Sequence, residues 1–471
     1  MKVEQIYTSC LAEAAYYIES NGEAVIIDPL RETEPYIERA KADKAKIKYV
    51  LETHFHADFV SGHLDLAKKT GATIVYGPTA EPNFKAHIVK DNEILKVGNI
   101  TIKVLHTPGH TMESTTYLLK DENGKDYAIF TGDTLFLGDV GRPDLAIKQG
   151  ELTREDLAGY LFDSLRNKIM PLADDVIVYP GHGAGSACGK KMSKETEGKL
   201  GDQKMFNYAL REDMTKAEFV KEVTSGLVEP PQYFPKNAMM NKMGYESIDE
   251  VRKRGARPLN IKAFKAAWEM EEALVLDTRN KEEFAKGFIP GSIFMGVDGS
   301  FAMWVGALVP DLKQPILFIS EPGREEEIVT RLARVGYDNS IGYLEGGFKT
   351  WKKAGEQVDT VEEVDPMVFE ELFKRKKDLN VFDVRKESEY NAEHLVGVKN
   401  FPLDFINKNM NKLGRDEKYY LHCVSGYRSL VAASILKARG IHDVVNVKKG
   451  YDELSKLDLK RTEYKEQITE L

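Results

Sequence analysis

The sequence predicts an α/β protein of about three domains. Short apolar runs alternate with helix-compatible segments through residues 1–190, and one α/β unit occurs twice within residues 258–471. Of the 471 residues, 42% are hydrophobic and 30% charged, which is typical of globular domains that each bury their own core.

Strands are predicted where apolar or β-branched residues form short runs bounded by Gly, Pro or His. In the first part of the chain these runs are Glu23–Asp28, Ile47–Glu52, Thr73–Tyr76, Ile100–Leu105, Tyr117–Leu119, Tyr127–Phe130 and Val176–Tyr179. Several of them end at residues able to bind a metal, which predicts a site on the rim of a sheet.

Residues 190–257 are more charged and mostly helix-compatible, so we expect the helical end of the first domain and a connector there. The prolines from Pro230 to Pro235 are expected to break any helix.

An internal repeat occupies the rest of the chain. Val275-Leu276-Asp277-Thr278-Arg279 recurs as Val381-Phe382-Asp383-Val384-Arg385, and Ile316–Ile319 matches Tyr419–His422. Two diverged copies of one unit explain this pattern better than chance. We therefore predict domains at 1–257, 258–362 and 363–471.

Charge and cysteine usage narrow the functional classes. The formal net charge of −9 disfavours nucleic acid and anionic membranes as partners. No apolar run approaches the ~18 residues of a membrane span, and neither a signal peptide nor a membrane association is expected. The chain has only three cysteines, and a small, odd number disfavours a disulfide framework and favours a reducing cytoplasm.

Histidine and aspartate concentrate in loops that follow predicted strands. Seven of the ten histidines lie before residue 111 or at residue 182. A lone histidine more often packs in a core, but imidazoles and carboxylates in neighbouring loops are the ligands of a catalytic divalent metal. The residues in question are His54, His56, Asp58, His110, Asp133 and His182.

This pattern resembles the metallo-β-lactamase superfamily over residues 1–190, whose signature is His-x-His-x-Asp-His followed by His, Asp and His. The resemblance implies an αββα sandwich, followed here by two smaller α/β domains with parallel sheets and flanking helices. Phe59 stands where the signature has its final histidine, a ligand of the second metal in binuclear hydrolases such as glyoxalase II. A second site of Asp58 and His182 alone should be weak, so we predict one metal.

One metal held by His54, His110 and Asp133 would have two imidazoles and one carboxylate, a set that suits non-heme Fe(II). The superfamily branch with this arrangement is the persulfide dioxygenases, and Phe130–Phe136 with Val140–Asp144 is similar to its conserved stretch. The resemblance implies one Fe(II) per chain, and it makes Arg142 a candidate for binding the carrier thiol. An equally open alternative is that Arg142 and Asp144 only stabilise their loop.

His56, Asp58 and His182 are expected to contact the metal ligands and bound water and to orient them, without ligating the metal themselves. Cys188 follows His182 by six residues and could accept sulfur from the substrate. An equally open alternative for Cys188 is packing in a tight loop, and Cys10 is expected in a strand of the core.

The second copy of the repeat carries Cys423 in a loop that leads into the apolar run Leu430–Leu436. The positive end of a helix, the backbone N–H groups around Ser425 and Gly426, and the charge of Arg428 all favour a thiolate and can hold a sulfur anion. This loop resembles that of rhodanese sulfurtransferases. Its four residues between Cys423 and Arg428 are one fewer than Cys phosphatases need.

In the first copy, Ser320 takes the place of the cysteine and Glu321 adds negative charge. Serine cannot carry sulfane sulfur, so we expect this copy to be inactive, serving as a spacer or docking platform. The three-part order resembles bacterial fusions that detoxify sulfide.

The implied activity is oxidation of a low-molecular-weight thiol persulfide by O2 to sulfite, with sulfur transfer at Cys423 that forms or uses thiosulfate. A homo-oligomer is an open possibility. Two alternatives are a zinc thioesterase like glyoxalase II, which needs the second metal, and a sulfur carrier whose first domain only docks partners.

Overall fold

The computed structural model describes residues 1–146, 151–376 and 378–465. They form two compact units: Met1–Asp249 with Ala333–Gly336, and Glu250–Leu332 with the residues from Tyr337 onward. Both units have α/β structure, which confirms the predicted class. Within these ranges, no helix combines the length and apolar character that a membrane crossing requires.

In the described residues of the first unit, two sheets have six strands each. The strands of one sheet, in spatial order, are β1 (Lys2–Thr8), β2 (Glu13–Ser20), β3 (Glu23–Ile27), β4 (Lys46–Leu51), β5 (Thr73–Tyr76) and β6 (His87–Ile88). In the other sheet, too, neighbouring strands are consecutive in the chain. In spatial order they are β7 (Ile94–Val97), β8 (Ile100–His106), β9 (Thr115–Lys120), β10 (Asp126–Gly132), β11 (Ile177–Pro180) and β12 (Gly198–Lys199). Pairs β3–β4 and β10–β11 are parallel.

The two sheets pack face to face, and helices cover their outer faces. Successive residues of β2 show why, because side chains alternate between the faces of a strand: Tyr16 and Ile18 join the core between the sheets, whereas Ala15 and Tyr17 face the helices. The helices of this unit are α1 (Glu34–Ala42), α2 (His63–Thr70), α3 (Arg154–Ser164), α4 (Leu200–Phe206), α5 (Lys216–Thr224) and α6 (Phe234–Met243). This is the predicted αββα sandwich.

One local expectation is confirmed in part and one is corrected. Pro230 and Pro231 lie in the non-helical segment between α5 and α6, as expected, whereas Pro235 lies in the first turn of α6, where a missing N–H costs nothing. Cys10 is not in the core of a strand; it lies in the turn between β1 and β2 and is half-buried.

The second unit contains two parallel sheets of five strands each in the described residues. One has the spatial order β13 (Pro258–Leu259), β17 (Ser340–Leu344), β16 (Ile316–Ile319), β14 (Leu274–Asp277), β15 (Ile293–Phe294). The other has the order β18 (Glu362–Val364), β22 (Val444–Val447), β21 (Tyr419–His422), β19 (Asn380–Asp383), β20 (Lys399–Asn400).

The helices of the second unit flank these sheets. They are α7 (Ile248–Gly255), α8 (Ile261–Met270), α9 (Lys281–Lys286), α10 (Phe301–Leu308), α11 (Glu325–Arg334), α12 (Gly347–Lys353), α13 (Pro366–Arg375), α14 (Glu387–Ala392), α15 (Ile406–Asn409), α16 (Tyr427–Ala438) and α17 (Gly450–Leu454).

The identical strand order of the two sheets confirms the internal repeat. Corresponding glycines also share a positive φ, +87° at Gly323 and +90° at Gly426, a conformation that favours glycine in both loops. The predicted boundary at 258 coincides with the start of β13, and the one after 362 falls inside β18.

Candidate metal centre and cysteine site

Three loops at strand ends bring His54, His110 and Asp133 together. His54 follows β4, His110 follows β8 and Asp133 follows β10. Their ligand-capable atoms lie within 4.8 Å of one another, and all three side chains are buried. The folding of distant strands into one sandwich therefore assembles a set of two imidazoles and one carboxylate.

The residues present fit a metal ion. His110 Nδ1 lies 2.8 Å from the Arg142 carbonyl oxygen, which can only accept, so Nδ1 carries the proton and the Nε2 lone pair is free. That Nε2 lies 3.4 Å from Asp133 Oδ2. Both carboxylate oxygens of Asp133 are buried without a hydrogen-bond partner in the described part of the chain. A buried, unpaired carboxylate is costly unless a cation compensates it.

His54 is oriented through Thr53. The Thr53 hydroxyl donates to Asp28 Oδ2 at 2.8 Å, and the Thr53 N–H donates to Asp28 Oδ1 at 2.7 Å. Because its proton is used, the hydroxyl accepts from His54 Nδ1 at 2.9 Å, which leaves Nε2 as the ligand atom. Burial, followed by the neighbouring histidines, lowers the pKa of His54 well below its usual value, so the ring is neutral.

His56 belongs to a different cluster. Its Nε2 lies 3.0 Å from Asp28 Oδ1 and 3.4 Å from Glu52 Oε2, and all three groups are buried. Burial opposes a charge on this ring, but Asp28 and Glu52 outweigh it and raise the pKa of His56 well above its usual value. Phe59 packs on the ring with a centroid distance of 4.3 Å.

A third cluster lies on the other side of Asp133. It consists of Asp58, His182 and Cys188, with ligand-capable atoms within 4.8 Å of one another. His182 Nε2 lies 3.4 Å from both Asp58 Oδ2 and Asp133 Oδ1. The sequence predicts Asp58 and His182 as the ligand-capable groups of this position and Cys188 as a possible sulfur acceptor near it, so the addition is that Cys188 is a third ligand-capable group. Burial first, and then the carboxylates of Asp133 and Asp58, raise the pKa of the Cys188 thiol.

Cys423 lies between β21 and the start of α16, and it is buried. The Gly426 N–H lies 3.2 Å from Sγ, and the Ser429 hydroxyl lies 3.5 Å from it. Arg428 forms a two-pronged ion pair with Glu389 at 2.5 and 2.7 Å. Donors to the sulfur therefore come from the helix terminus, and the charge of Arg428 is shared with Glu389.

Comparison with known proteins places the two units in families. A model described as the metallo-beta-lactamase superfamily matches residues 9–182, and one described as a rhodanese-like domain matches residues 260–354 and 366–457. The hydroxyacylglutathione hydrolase GloC of Haemophilus influenzae is 32% identical over 190 residues, covering 36% of this chain and 84% of the relative. A crystal structure of a metallo-beta-lactamase from Staphylococcus aureus is 33% identical with a TM-score of 0.62, covering 73% of this chain and 98% of that one.

The chain belongs to the metallo-beta-lactamase superfamily. A probable hydroxyacylglutathione hydrolase of Schizosaccharomyces pombe is also similar, with 32% identity over 167 residues that cover 35% of this chain. The match spans 60% of that relative's length. The superfamily fold is followed by two rhodanese-like domains, as the sequence predicts.

Within the metallo-beta-lactamase domain, Arg142 is buried and its guanidinium is engaged. It contacts Asp144 at 2.6 and 2.8 Å and donates to the Val228 carbonyl at 2.6 Å. The loop-stabilising alternative for this pair is therefore observed, and a substrate contact of Arg142 stays a prediction.

In the first rhodanese-like domain, the loop that corresponds to the Cys423 loop is bound by a carboxylate of the protein itself. The Gly323 N–H donates to Glu325 Oε2 at 2.9 Å, and Glu325 Oε1 lies 3.5 Å from the Ser320 hydroxyl. Glu321, the residue expected to repel an anion, is exposed. Glu325, at the start of α11, is the carboxylate that closes this loop.

Sequence reasoning missed Asn241, which is fully buried in α6. Its Nδ2 donates to the carbonyls of His56 and Phe59, both at 2.8 Å, and its Oδ1 accepts from the Ser61 N–H at 2.9 Å. Asn241 thus fixes the loop that carries Asp58. A polar residue in a charged helical segment gives no signal of this role in one sequence.

Proposed function

We propose that the protein is a non-heme iron persulfide dioxygenase, which oxidises a low-molecular-weight thiol persulfide to sulfite, joined to a rhodanese sulfurtransferase. The overall reaction of the first centre is R–S–SH + O2 + H2O → R–SH + SO3²⁻ + 2 H⁺. At the second centre, sulfite attacks the outer sulfur of a Cys423 persulfide, the S–S bond breaks, and Cys423 leaves as thiolate while thiosulfate forms. The reverse step loads Cys423 from thiosulfate.

The observation that carries the first activity is the position of His56. A zinc hydrolase centre with three imidazoles would use His54, His56 and His110 together. Here His56 Nε2 lies 3.0 Å from Asp28 Oδ1 and 3.4 Å from Glu52 Oε2, and the remaining set is His54, His110 and Asp133. Two imidazoles and one carboxylate leave open positions that suit Fe(II) and O2.

In this proposal His54, His110 and Asp133 hold one Fe(II), which when bound supplies activation of O2. The chain's own residues orient these ligands: the Thr53 hydroxyl accepts a hydrogen bond from His54 Nδ1, and the Arg142 carbonyl accepts one from His110 Nδ1. Asp58, His182 and Cys188 flank Asp133 and are the groups available to orient the persulfide.

The second activity is supported by the surroundings of Cys423. The buried sulfur receives an N–H and a hydroxyl at the N-terminus of a 12-residue helix, so donors that can stabilise negative charge on a transferred sulfur are in place. The four-residue spacing from Cys423 to Arg428 fits sulfur better than phosphate.

A zinc thioesterase of the glyoxalase II kind is the second candidate. Two observations favour it: the similar curated proteins are named hydroxyacylglutathione hydrolases, and Cys188 completes a second set of three ligand-capable groups with Asp58 and His182. A cysteine, a histidine and a carboxylate are ligands that Zn²⁺ accepts.

Metal analysis and an oxygen electrode separate the two candidates. We expect about one iron per chain and O2 uptake on addition of glutathione persulfide, both lost in Asp133→Ala because its carboxylate is a proposed ligand. The matched control is Asp174→Ala, an exposed carboxylate of the same unit. Two zinc ions per chain with hydrolysis of a hydroxyacyl glutathione thioester, and no O2 uptake, would contradict the dioxygenase.

A further inference from the structure

The pocket that opens on Cys423 has walls from both rhodanese-like domains, which lie in the same compact unit. Its volume is about 290 Å³. From the second domain it is lined by the Cys423 loop with Tyr427 and Arg428. From the first domain, which lacks the cysteine, it is lined by Asp298, Gly299, Ser300 and Trp304. The inactive copy therefore borders the sulfur site rather than only spacing it.

Hydrogen bonds fix this wall against the loop. The Tyr427 hydroxyl donates to the Gly296 carbonyl at 2.9 Å, just ahead of the wall segment. From the other side, Lys281 Nζ donates to the Ser425 carbonyl at 2.9 Å. These bonds join the two copies at the rim, so the first domain's side chains keep a defined position over Cys423.

The pocket lining holds one cation and one carboxylate, and each of them is ion-paired. Arg428, the cation in its lining, is engaged by Glu389 at 2.5 Å. Asp298 is the carboxylate in its lining; its side chain is 77% exposed and contacts Arg324 Nη1 through Oδ1 at 2.9 Å. Arg324 also pairs with Glu327 at 2.8 Å, and Glu327 in turn pairs with Arg331 at 2.9 Å, so the accessible group of this cluster on the pocket side is the exposed Asp298 carboxylate. A cationic group entering the pocket thus meets an accessible carboxylate.

Trp304, at the middle of α10, gives the same wall a large aromatic surface. Tryptophan is the best side chain for attracting a cation over its ring, and it also packs against aliphatic groups. The volume is about ten times the ~30 Å³ that one water occupies in the liquid, which is more than a small inorganic anion requires.

We propose that the wall formed by Asp298 and Trp304 is a binding subsite for an aminothiol, a small organic thiol that carries an ammonium group. The inference rests on the sulfur transfer at Cys423 proposed above. The acceptor thiolate attacks the outer sulfur of the Cys423 persulfide, the bond from that sulfur to Cys423 Sγ breaks, and Cys423 leaves with the bonding electron pair. The product is the aminothiol persulfide, so the first centre's substrate class is made here without any added oxidant.

The test measures acceptor preference in the full-length protein. Thiosulfate loads Cys423, intact mass confirms the added sulfur, and transfer is followed to cysteamine, 2-mercaptoethanol and 3-mercaptopropionate at varied concentration. For cysteamine, Asp298→Asn should raise KM about fivefold with kcat unchanged, since an exposed ion pair contributes up to about 1 kcal/mol. KM for the neutral thiol should not change. Asp298→Lys should reverse the preference toward 3-mercaptopropionate.

Matched variants make the result specific. Trp304→Ala should raise KM for cysteamine, whereas Trp304→Phe should retain most of the affinity because an aromatic face remains. Asp311→Asn removes another exposed carboxylate of the first domain, outside the pocket, and should keep the wild-type preference. If Cys423 is loaded but wild type and Asp298→Asn show the same preference among the acceptor thiols, the subsite is overturned and the sulfurtransferase activity is not. Absence of loading overturns the sulfurtransferase activity and the subsite with it.

Discussion

Single residues far from the candidate metal ligands in sequence determine how those side chains are held. Asp28 is an example, since its carboxylate accepts from Thr53 and pairs with His56 while its backbone has a φ of +50°. Such a conformation is strained for a non-glycine residue and persists where the surroundings enforce it. One carboxylate thus fixes His54 through Thr53 and withdraws His56 from the ligand set.

The first prediction concerns Asn241. Asn241→Ala should lower metal affinity about 10- to 100-fold without removing a ligand, because supporting residues have effects of this size. It leaves two carbonyls and one N–H of the His56–Ser61 loop without their partner, each a cost of about 1–3 kcal/mol. Metal affinity is measured by competition with a chelator.

The control for this prediction is Asn237→Ala. Asn237 lies in the same helix and is equally buried, but its side-chain atoms have no hydrogen-bond partner in the described residues. Its removal should leave metal affinity unchanged. Equal metal affinity in both variants would show that Asn241 does not support the site.

Residues that directly follow strands could be predicted from the sequence. His54, His110 and Asp133 follow predicted strands, and strand ends meet on the rim of a sandwich. Asn241 and Glu325 could not, because each acts through contacts that only the folded chain makes. Cys188 was predicted near the site because it follows His182 by six residues, but its approach to Asp58 as a third ligand-capable group depends on the folded loop.

At the scale of elements, the Asp-x-Arg motif of the repeat has a structural role in both copies. Arg385 binds Asp383 at 2.6 Å, donates to the Glu393 carbonyl at 2.8 Å and lies 3.9 Å from the ring centroid of Tyr451. Arg279 makes the equivalent contacts with Asp277, Gly287 and Phe348. Each motif ties a central strand to the segment after the next helix.

The second prediction is that Arg385→Met destabilises the second rhodanese-like domain. Removing one partner of a buried pair leaves Asp383 without its guanidinium partner and typically costs about 3–5 kcal/mol. Hydrogen–deuterium exchange of peptides covering β19 and β21 should increase accordingly. Lys374→Met is the control: its pair with Asp458 is exposed and should contribute less than about 1 kcal/mol. Equal exchange in the two variants would contradict this role.

The third prediction is the pH dependence of this clamp. Burial alone would raise the pKa of the Asp383 carboxyl, but His422 and Arg385 hold it below its usual value. A carboxyl with a lowered folded pKa stabilises the fold above the unfolded pKa of ~3.9, and this contribution decreases as the pH falls through the folded value. Peptides covering β19 should exchange more slowly in the wild type than in Asp383→Asn, and this difference in exchange rate should become smaller in acid. A difference that grew in acid would contradict the prediction.

The elements themselves were largely readable because their hydrophobic periodicity is strong. The seven strands predicted in the first unit all occur, with ends shifted by at most a few residues. The break at Pro230 and Pro231 is observed, but Pro235 lies in the first turn of α6, because the sequence alone does not distinguish a proline that starts a helix from one that ends it. The joint pocket of the two repeat copies depends on the packing of one copy against the other.

At the scale of the whole molecule, the proposed activities belong to different compact units. His54, His110 and Asp133 lie in the first unit, and Cys423 lies in the second. Mutations at sites that share no contacts act independently. The two chemistries should therefore be separable by single substitutions in the full-length chain.

The last prediction tests that separation. Cys423→Ser removes the sulfur that carries sulfane sulfur, because a hydroxyl stays protonated at neutral pH and forms no stable persulfide. It should abolish thiosulfate formation while O2 uptake stays within about twofold of wild type and sulfite accumulates. Asp133→Ala should do the opposite, abolishing O2 uptake while thiosulfate still loads Cys423. Ser320→Ala is the matched control for the serine at the corresponding position of the first copy, and both activities should persist because Glu325 already closes that loop. Loss of O2 uptake in Cys423→Ser would show instead that the oxidation depends on sulfur delivered through Cys423.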